Sequence, residues 1–181
     1  MSVLPILLLI TIPVNASALW YARVEYRQKG RLSWLGVSLL CLMFFMPNLM
    51  MDYATNYRWP STPFEYAGLV IACLGLVLCM AGIAHFRSFS KTFCTEPGEL
   101  TLTGPYRWGR NPQYLGWFLF ILGFGMTDWS EWCIVVLIIL GASIHLLVLI
   151  EEEHLHRVFG ARYDEFWRRV PRYIGKARRD G

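Results

Sequence analysis

Five stretches of this chain contain no Asp, Glu, Lys or Arg over lengths close to the roughly 20 residues that a helix needs to cross a bilayer. They are Ser2 to Ala22, Leu32 to Met51, Tyr66 to Phe86, Asn111 to Thr127 and Cys133 to Ile150. In hydrocarbon no water satisfies the backbone, so each segment must bond its own N–H and C=O groups as a helix. The expected fold is an all-α membrane protein with about five transmembrane helices. A composition of 55% hydrophobic and 17% charged residues excludes an ordinary soluble domain. The fourth segment is the shortest. Its Pro112 suits a helix start, and Gly116, Gly123 and Gly125 predict close packing on a neighbour.

Charge sets the expected orientation. Arg23 to Arg31 holds four basic residues, Arg87 to Arg110 four and the tail from Arg157 eight, whereas the alternate linkers hold only Arg58. The positive-inside rule then places the N-terminus outside and the C-terminus in the cytoplasm. The first segment has no basic residues ahead of it and no clear cleavage site, so it reads as a retained helix rather than a signal peptide. Its Asn15-Ala16-Ser17 matches a glycosylation sequon only as a pattern. The net charge of +4 calls for anionic headgroups at the inner leaflet, with no nucleic-acid partner. Cys41, Cys73, Cys79, Cys94 and Cys133 are scattered and read as small buried residues, and the final ARRDG lacks a prenylation motif.

No repeat or composition break divides the chain, so residues 1–181 form a single membrane domain. Residues 1–86 read as scaffold helices, with Pro47 a kink in the second, and residues 87–181 carry the chemistry. The linker Arg87 to Arg110 is long for a connector but rich in apolar residues, which argues for a folded lid. After Ile150 the fifth helix is expected to continue past the membrane surface, break at Gly160, resume over Tyr163 to Arg169 and stop at Pro171. That makes a cytoplasmic amphipathic segment beneath the bundle.

Two constellations stand at the cytoplasmic boundary. Glu151, Glu152 and Glu153 sweep about 200° of helix circumference, so at least one faces the bundle. The others are free to pair with Arg157 and its neighbours. Opposite them GPYRWGRNPQYLGW, Gly104 to Trp117, holds polar and aromatic groups on a backbone stiffened by Gly-Pro and Asn-Pro steps, which suits ligand recognition better than snorkelling. His85, His145, His154 and His156 imply no metal-ligand geometry, and no P-loop, dinucleotide fingerprint or Ser-His-Asp order is present.

Gly104-Pro105-Tyr106, Arg110-Asn111-Pro112-Gln113-Tyr114-Leu115-Gly116, and Glu151-Glu152 with Leu155, Phe159-Gly160, Tyr163 and Val170-Pro171-Arg172 are similar to a known signature. It is that of the isoprenylcysteine carboxyl methyltransferase family and its phospholipid methyltransferase relatives. The resemblance covers roughly residues 87–172. It implies methyl transfer from S-adenosylmethionine, bound in a cytoplasm-facing pocket made by the last two membrane helices and their flanks. By position, the implied cofactor contacts are Leu100, Thr101, Tyr106, Asn111, Pro112, Gln113, Tyr114 and Glu151. Arg110, Glu151 and Glu152 form the implied catalytic set, with no metal, and the acceptor is lipophilic and enters from the bilayer.

Two departures shape that implication. Asn111 stands where the family has histidine; it donates and accepts hydrogen bonds but cannot act as a base. Leu147 stands where the isoprenylcysteine enzymes carry an arginine implicated in holding the substrate carboxylate, which argues against a prenylcysteine acceptor. Methyl transfer from a sulfonium needs positioning and desolvation more than an acid. Two rivals stay open: a sterol-reductase-like enzyme using NADPH, and a non-catalytic membrane scaffold or lipid-binding protein of the same fold.

Overall fold

The computed structural model describes residues 3–56, 59–85 and 103–175. Among these are six α-helices and no strand: α1 (Val3–Lys29), α2 (Trp34–Ala54), α3 (Pro63–His85), α4 (Pro112–Met126), α5 (Glu131–Phe159) and α6 (Ala161–Arg169), with a 3-10 turn at Gly104–Arg107 before α4. Four of them, α1, α2, α3 and α5, are long and apolar enough to cross a membrane. With 15 residues α4 is shorter, about 22 Å at 1.5 Å per residue. Large apolar side chains such as Leu9, Leu74, Val77 and Ile138 point outward, as lipid-facing residues do. The chain is a membrane protein.

Helices α1 and α2 form a hairpin around a buried carboxylate. Gly30 turns the chain at φ 66°, a left-handed value that favours glycine. Ser33 then caps α2 by accepting from Gly36 N at 3.2 Å. Glu25, buried at the end of α1, accepts from Ser33 N and Oγ at 2.8 and 2.9 Å and from Lys29 Nζ at 2.7 Å. A Cβ on Gly36 would stand 2.5 Å from that carboxylate, so glycine there makes room for it.

Helix α5 is the centre of the bundle and packs on α1, α2 and α4. Met50, Met51, Ile121, Val136 and Leu140 make one buried cluster; Ala18, Ala22, Tyr26 and Leu147 belong to a second, nearer the basic end. Asn15, read from sequence as a sequon residue inside a helix, is buried and donates to Ser143 Oγ at 2.8 Å, a polar link between α1 and α5.

The tightest contact in the molecule joins α3 to α4. Gly68, Gly75 and Gly82 recur every seven residues on α3, and Gly116 and Gly123 repeat the interval on α4. A Cβ on Gly75 would lie 2.7 Å from Gly116 O, one on Gly68 2.7 Å from Gly123 O, and one on Gly82 3.0 Å from Gln113 N. The two backbones therefore touch along the whole of α4. This seam holds a helix too short to span with ease against one of 23 residues.

The ends of α1, α3 and α5 meet the starts of α2 and α4, as Tyr26 stacked on His154, Gly82 against Gln113 and Tyr114 bonded to Glu151 all show. This end carries the basic residues; the opposite end carries Asp128, which accepts from Asn56 N at 2.7 Å. Beyond Ile150 the chain follows its expected course. Helix α5 runs on to Phe159, Gly160 turns at φ 51°, and α6 ends at Arg169 before Val170 and Pro171. Helix α6 is amphipathic, burying Tyr163 and Phe166 against Tyr106.

Gly116→Ile is expected to drive a branched side chain into the α3 backbone and to destabilise the protein by about 3 kcal/mol or more, beyond the usual cost of overpacking. The lipid-facing Leu74→Ile should change stability little. Thermal unfolding in detergent, followed by monodispersity on size exclusion, measures both.

Candidate functional site

The site is assembled where the turn from Gly104 to Asn111 is fastened on three sides. Gly104 adopts φ 61° and any Cβ there would overlap the His85 ring, so the turn needs glycine for both conformation and space. Gly109 lies against Tyr173 O, where a Cβ would also collide. Tyr106 is buried and donates to Gln113 Oε1 at 2.9 Å and, more weakly, to Gly82 O at 3.4 Å. Pro112 then begins α4, its missing N–H no loss at a first helical position.

A buried ion cluster makes the second fastening. Glu152 pairs with Arg110 Nη2 at 3.0 Å and accepts from Arg172 Nε and Nη2 at 3.1 and 2.8 Å. Arg110 also donates from Nη1 to Trp167 O at 3.2 Å, lies 5.4 Å from the centre of the Trp167 ring, and is buried, at 8% exposed. Burial lowers the affinity of Arg110 for its proton, and the Glu152 carboxylate opposes that shift. For Arg172 the hydrogen bond to Glu152 dominates and raises it. The Tyr163 phenol beside them is pushed up by burial and by Glu152. Arg110 N donates to Pro171 O at 2.9 Å and Asn111 Nδ2 to Arg172 O at 3.1 Å. The segment after α6 is thus strapped across the start of α4.

On the other face of α5, Glu151 accepts from Tyr114 Oη at 2.6 Å. Both line a cavity of about 580 Å³ between the helices. Gln113 and Asn48 add polar groups; the remaining wall is largely apolar and aromatic, including Tyr26, Phe44, Trp117 and Leu147. Phe44 lies parallel to Tyr114 with ring centres 5.9 Å apart. Among the described lining residues there is no Arg or Lys, and Leu147, fully buried, forms apolar wall one turn before Glu151. Cys41 and Phe45 are exposed and also line the cavity, so it opens sideways toward the surrounding lipid.

The structure therefore divides the residues singled out from sequence. Gln113, Tyr114 and Glu151 meet at the cavity, and Tyr106 holds Gln113. Arg110, Asn111 and Glu152 are engaged with one another's neighbours and with the strap. Leu100 and Thr101 lie outside the described residues. Glu153 points away from both, toward Arg23, Arg27 and Arg157. Sequence reasoning missed Arg172 as the second partner of Glu152, although its Val-Pro-Arg step was visible. It also missed Tyr26 and Phe44, which carry no signal beyond being aromatic. Among the described residues no group of three or more His, Cys, Asp or Glu side chains is placed to hold a metal.

The family model for phospholipid methyltransferases matches residues 64–162, just over half of the chain, and spans α3, the turn, α4 and α5. The chain belongs to the phospholipid methyltransferase family. It is also similar to the nickel-cobalt-cadmium resistance protein NccN of Alcaligenes xylosoxydans xylosoxydans, 29% identical over 120 residues, which are 65% of this chain and 54% of that protein. The chain spans about half the length of that curated relative. No solved structure matches it. The matched residues include Gln113, Tyr114 and Glu151 at the polar end of the cavity, whereas the wall that α1 and α2 supply, with Tyr26 and Phe44, lies outside them.

Glu152→Ala is expected to strand two guanidinium groups, one of them buried, and to cost about 3–5 kcal/mol of stability. Glu153→Ala, which removes a partly exposed carboxylate, should cost under about 1 kcal/mol. Unfolding in detergent separates the two; equal losses would show that the buried cluster is no more than a surface pair.

Proposed function

We propose that this membrane methyltransferase-family protein transfers a methyl group from S-adenosylmethionine to a lipophilic acceptor at the polar end of the cavity. The observation that carries the reading is the Tyr114–Glu151 pair, a carboxylate and a phenol facing a largely apolar space that opens toward lipid. The donor chemistry fits the cofactor. Glu151 offers carboxylate oxygens to ribose hydroxyls or an ammonium group, Gln113 offers both a donor and an acceptor, and Tyr114 offers a ring face to a sulfonium. Bound there, the cofactor supplies an electrophilic methyl on a positively charged sulfur.

The chain's own residues then have distinct work. Glu151 and Tyr114 hold and orient; Arg110, Glu152 and Asn111 keep the start of α4 in place; the aromatic walls exclude water and so protect the methyl from hydrolysis while the reactants are aligned. Asn111 moves no proton. Because the wall carries apolar Leu147 and no described cation to pair with an anion, a neutral nucleophile with a free lone pair suits the cavity better than a carboxylate; its new bond to the methyl forms as the methyl–sulfur bond breaks, and the positive charge passes from sulfur to the acceptor. The excess of basic residues at this end supports a cytoplasm-facing site by the positive-inside rule.

Calorimetric titration of the purified protein with S-adenosylmethionine, its demethylated product and NADPH tests the reading. The first two should bind and the third should not; NADPH binding alone would instead select a reductase, and no binding a scaffold. Glu151→Ala should weaken cofactor binding by about 10- to 100-fold, the loss of a hydrogen bond to a charged group, with little change in thermal midpoint. Unchanged affinity would show that the pocket lies elsewhere. Transfer of labelled methyl into membrane extracts then identifies the acceptor.

A further inference from the structure

A second charged feature at the basic end takes no part in the site described above. Glu153 is shared by three guanidinium groups: Arg27 donates from Nε and Nη2 at 3.0 and 2.7 Å, Arg23 Nε lies at 3.5 Å and Arg157 Nη2 at 3.6 Å. Other basic residues nearby have their own partners, Lys29 on Glu25, Arg110 and Arg172 on Glu152, and Arg169 on Glu165. Three positive charges against one negative leave a surplus of two. The three arginine side chains are about half exposed, at 52%, 49% and 43%, so N–H groups remain turned outward. Glu153 tethers the three heads at one spot.

The position of the cluster selects the ligand. On α1, Trp20 lies three residues before Arg23 and seven before Arg27, on one helix face, and is 67% exposed. On α5, Leu146 lies seven residues before Glu153 and Leu149 eight before Arg157, again two turns along one helix face, and both are exposed. The guanidinium groups therefore cap an outward, apolar two-helix surface where α1 and α5 pass from hydrocarbon to water. Arginine's planar fork matches phosphate oxygens, and an indole suits the interface just below.

We infer that Arg23, Arg27 and Arg157 bind the phosphate of an anionic phospholipid whose chains lie along Trp20, Leu146 and Leu149. The occupant is a membrane lipid, because the cationic cap continues directly into lipid-facing apolar surface. The site shares no residue with the cavity lining and does not depend on the methyl-transfer reading.

The test uses the full-length protein in nanodiscs holding equal amounts of phosphatidylcholine and phosphatidylglycerol with matched chains, with retained lipid identified by native mass spectrometry. Phosphatidylglycerol should be retained over phosphatidylcholine by roughly tenfold, as two surplus charges at a membrane surface warrant. Arg23→Gln, Arg27→Gln and Arg157→Gln combined with Glu153→Gln, which leaves no orphan carboxylate, should bring the ratio near one. The three arginines replaced by Lys, which keep the charge but lose the fork, should give a ratio between that of the unaltered protein and one, and Arg162→Gln with Arg168→Gln and Arg169→Gln on α6 should leave it unchanged. Equal loss in the α6 variant would reduce the effect to the general basic field and overturn the site. So would an unchanged ratio in the fourfold variant. Displacement of the lipid by excess inorganic phosphate would mean that the phosphate group alone is recognised, and would overturn the lipid assignment.

Discussion

The carboxylate of Glu152, buried between Arg110 and Arg172, is the contact on which the basic end of the molecule depends. It joins three pieces of chain that are remote in sequence: the turn before α4, the long helix α5 and the strap after α6. A buried charge is tolerated only when its oxygens are fully paired, and here both are taken by guanidinium groups. The backbone follows. Arg110 N and Asn111 Nδ2 bond to strap carbonyls, and Pro112 then sends α4 off at an angle that carries Tyr114 to Glu151.

Three consecutive glutamates on α5 take three different surroundings because successive residues turn by about 100°. Glu151 looks into the cavity with a single phenol as partner; Glu152 is locked between arginines; Glu153 gathers three arginines at the outer rim. The same helix thereby supplies a ligand-facing carboxylate, a structural one and a rim charge. The glycine seam between α3 and α4 makes this arrangement reachable, since a wider spacing of those helices would draw Gln113 away from Gly82 and Tyr106.

How much of this was legible varies with the kind of signal. Gly116 and Gly123 announced a close contact, and the matching interval of Gly68, Gly75 and Gly82 was equally visible but went unread. Gly160 and Pro171 marked the ends of α5 and α6 correctly because both restrict the backbone locally. Asn111 was judged by its chemistry as a donor and acceptor, and it is a donor. Its partner is a backbone carbonyl 61 residues away, which no local pattern announces. Arg110 and Glu152 were placed in the catalytic set through resemblance, and the structure shows them bonded to one another and to the segment around and after α6.

By itself the sequence determined the helical membrane class, the extent of the apolar segments, the gathering of basic residues toward one end and the breaks in the last helices. These follow from hydropathy, charge and backbone restriction, which act residue by residue. Tertiary structure alone decided which glutamate meets Tyr114, which is buried in the ion cluster and which holds the rim arginines. Those assignments depend on how far each helix is rotated about its axis, and rotation is set by side chains and glycines on neighbouring helices.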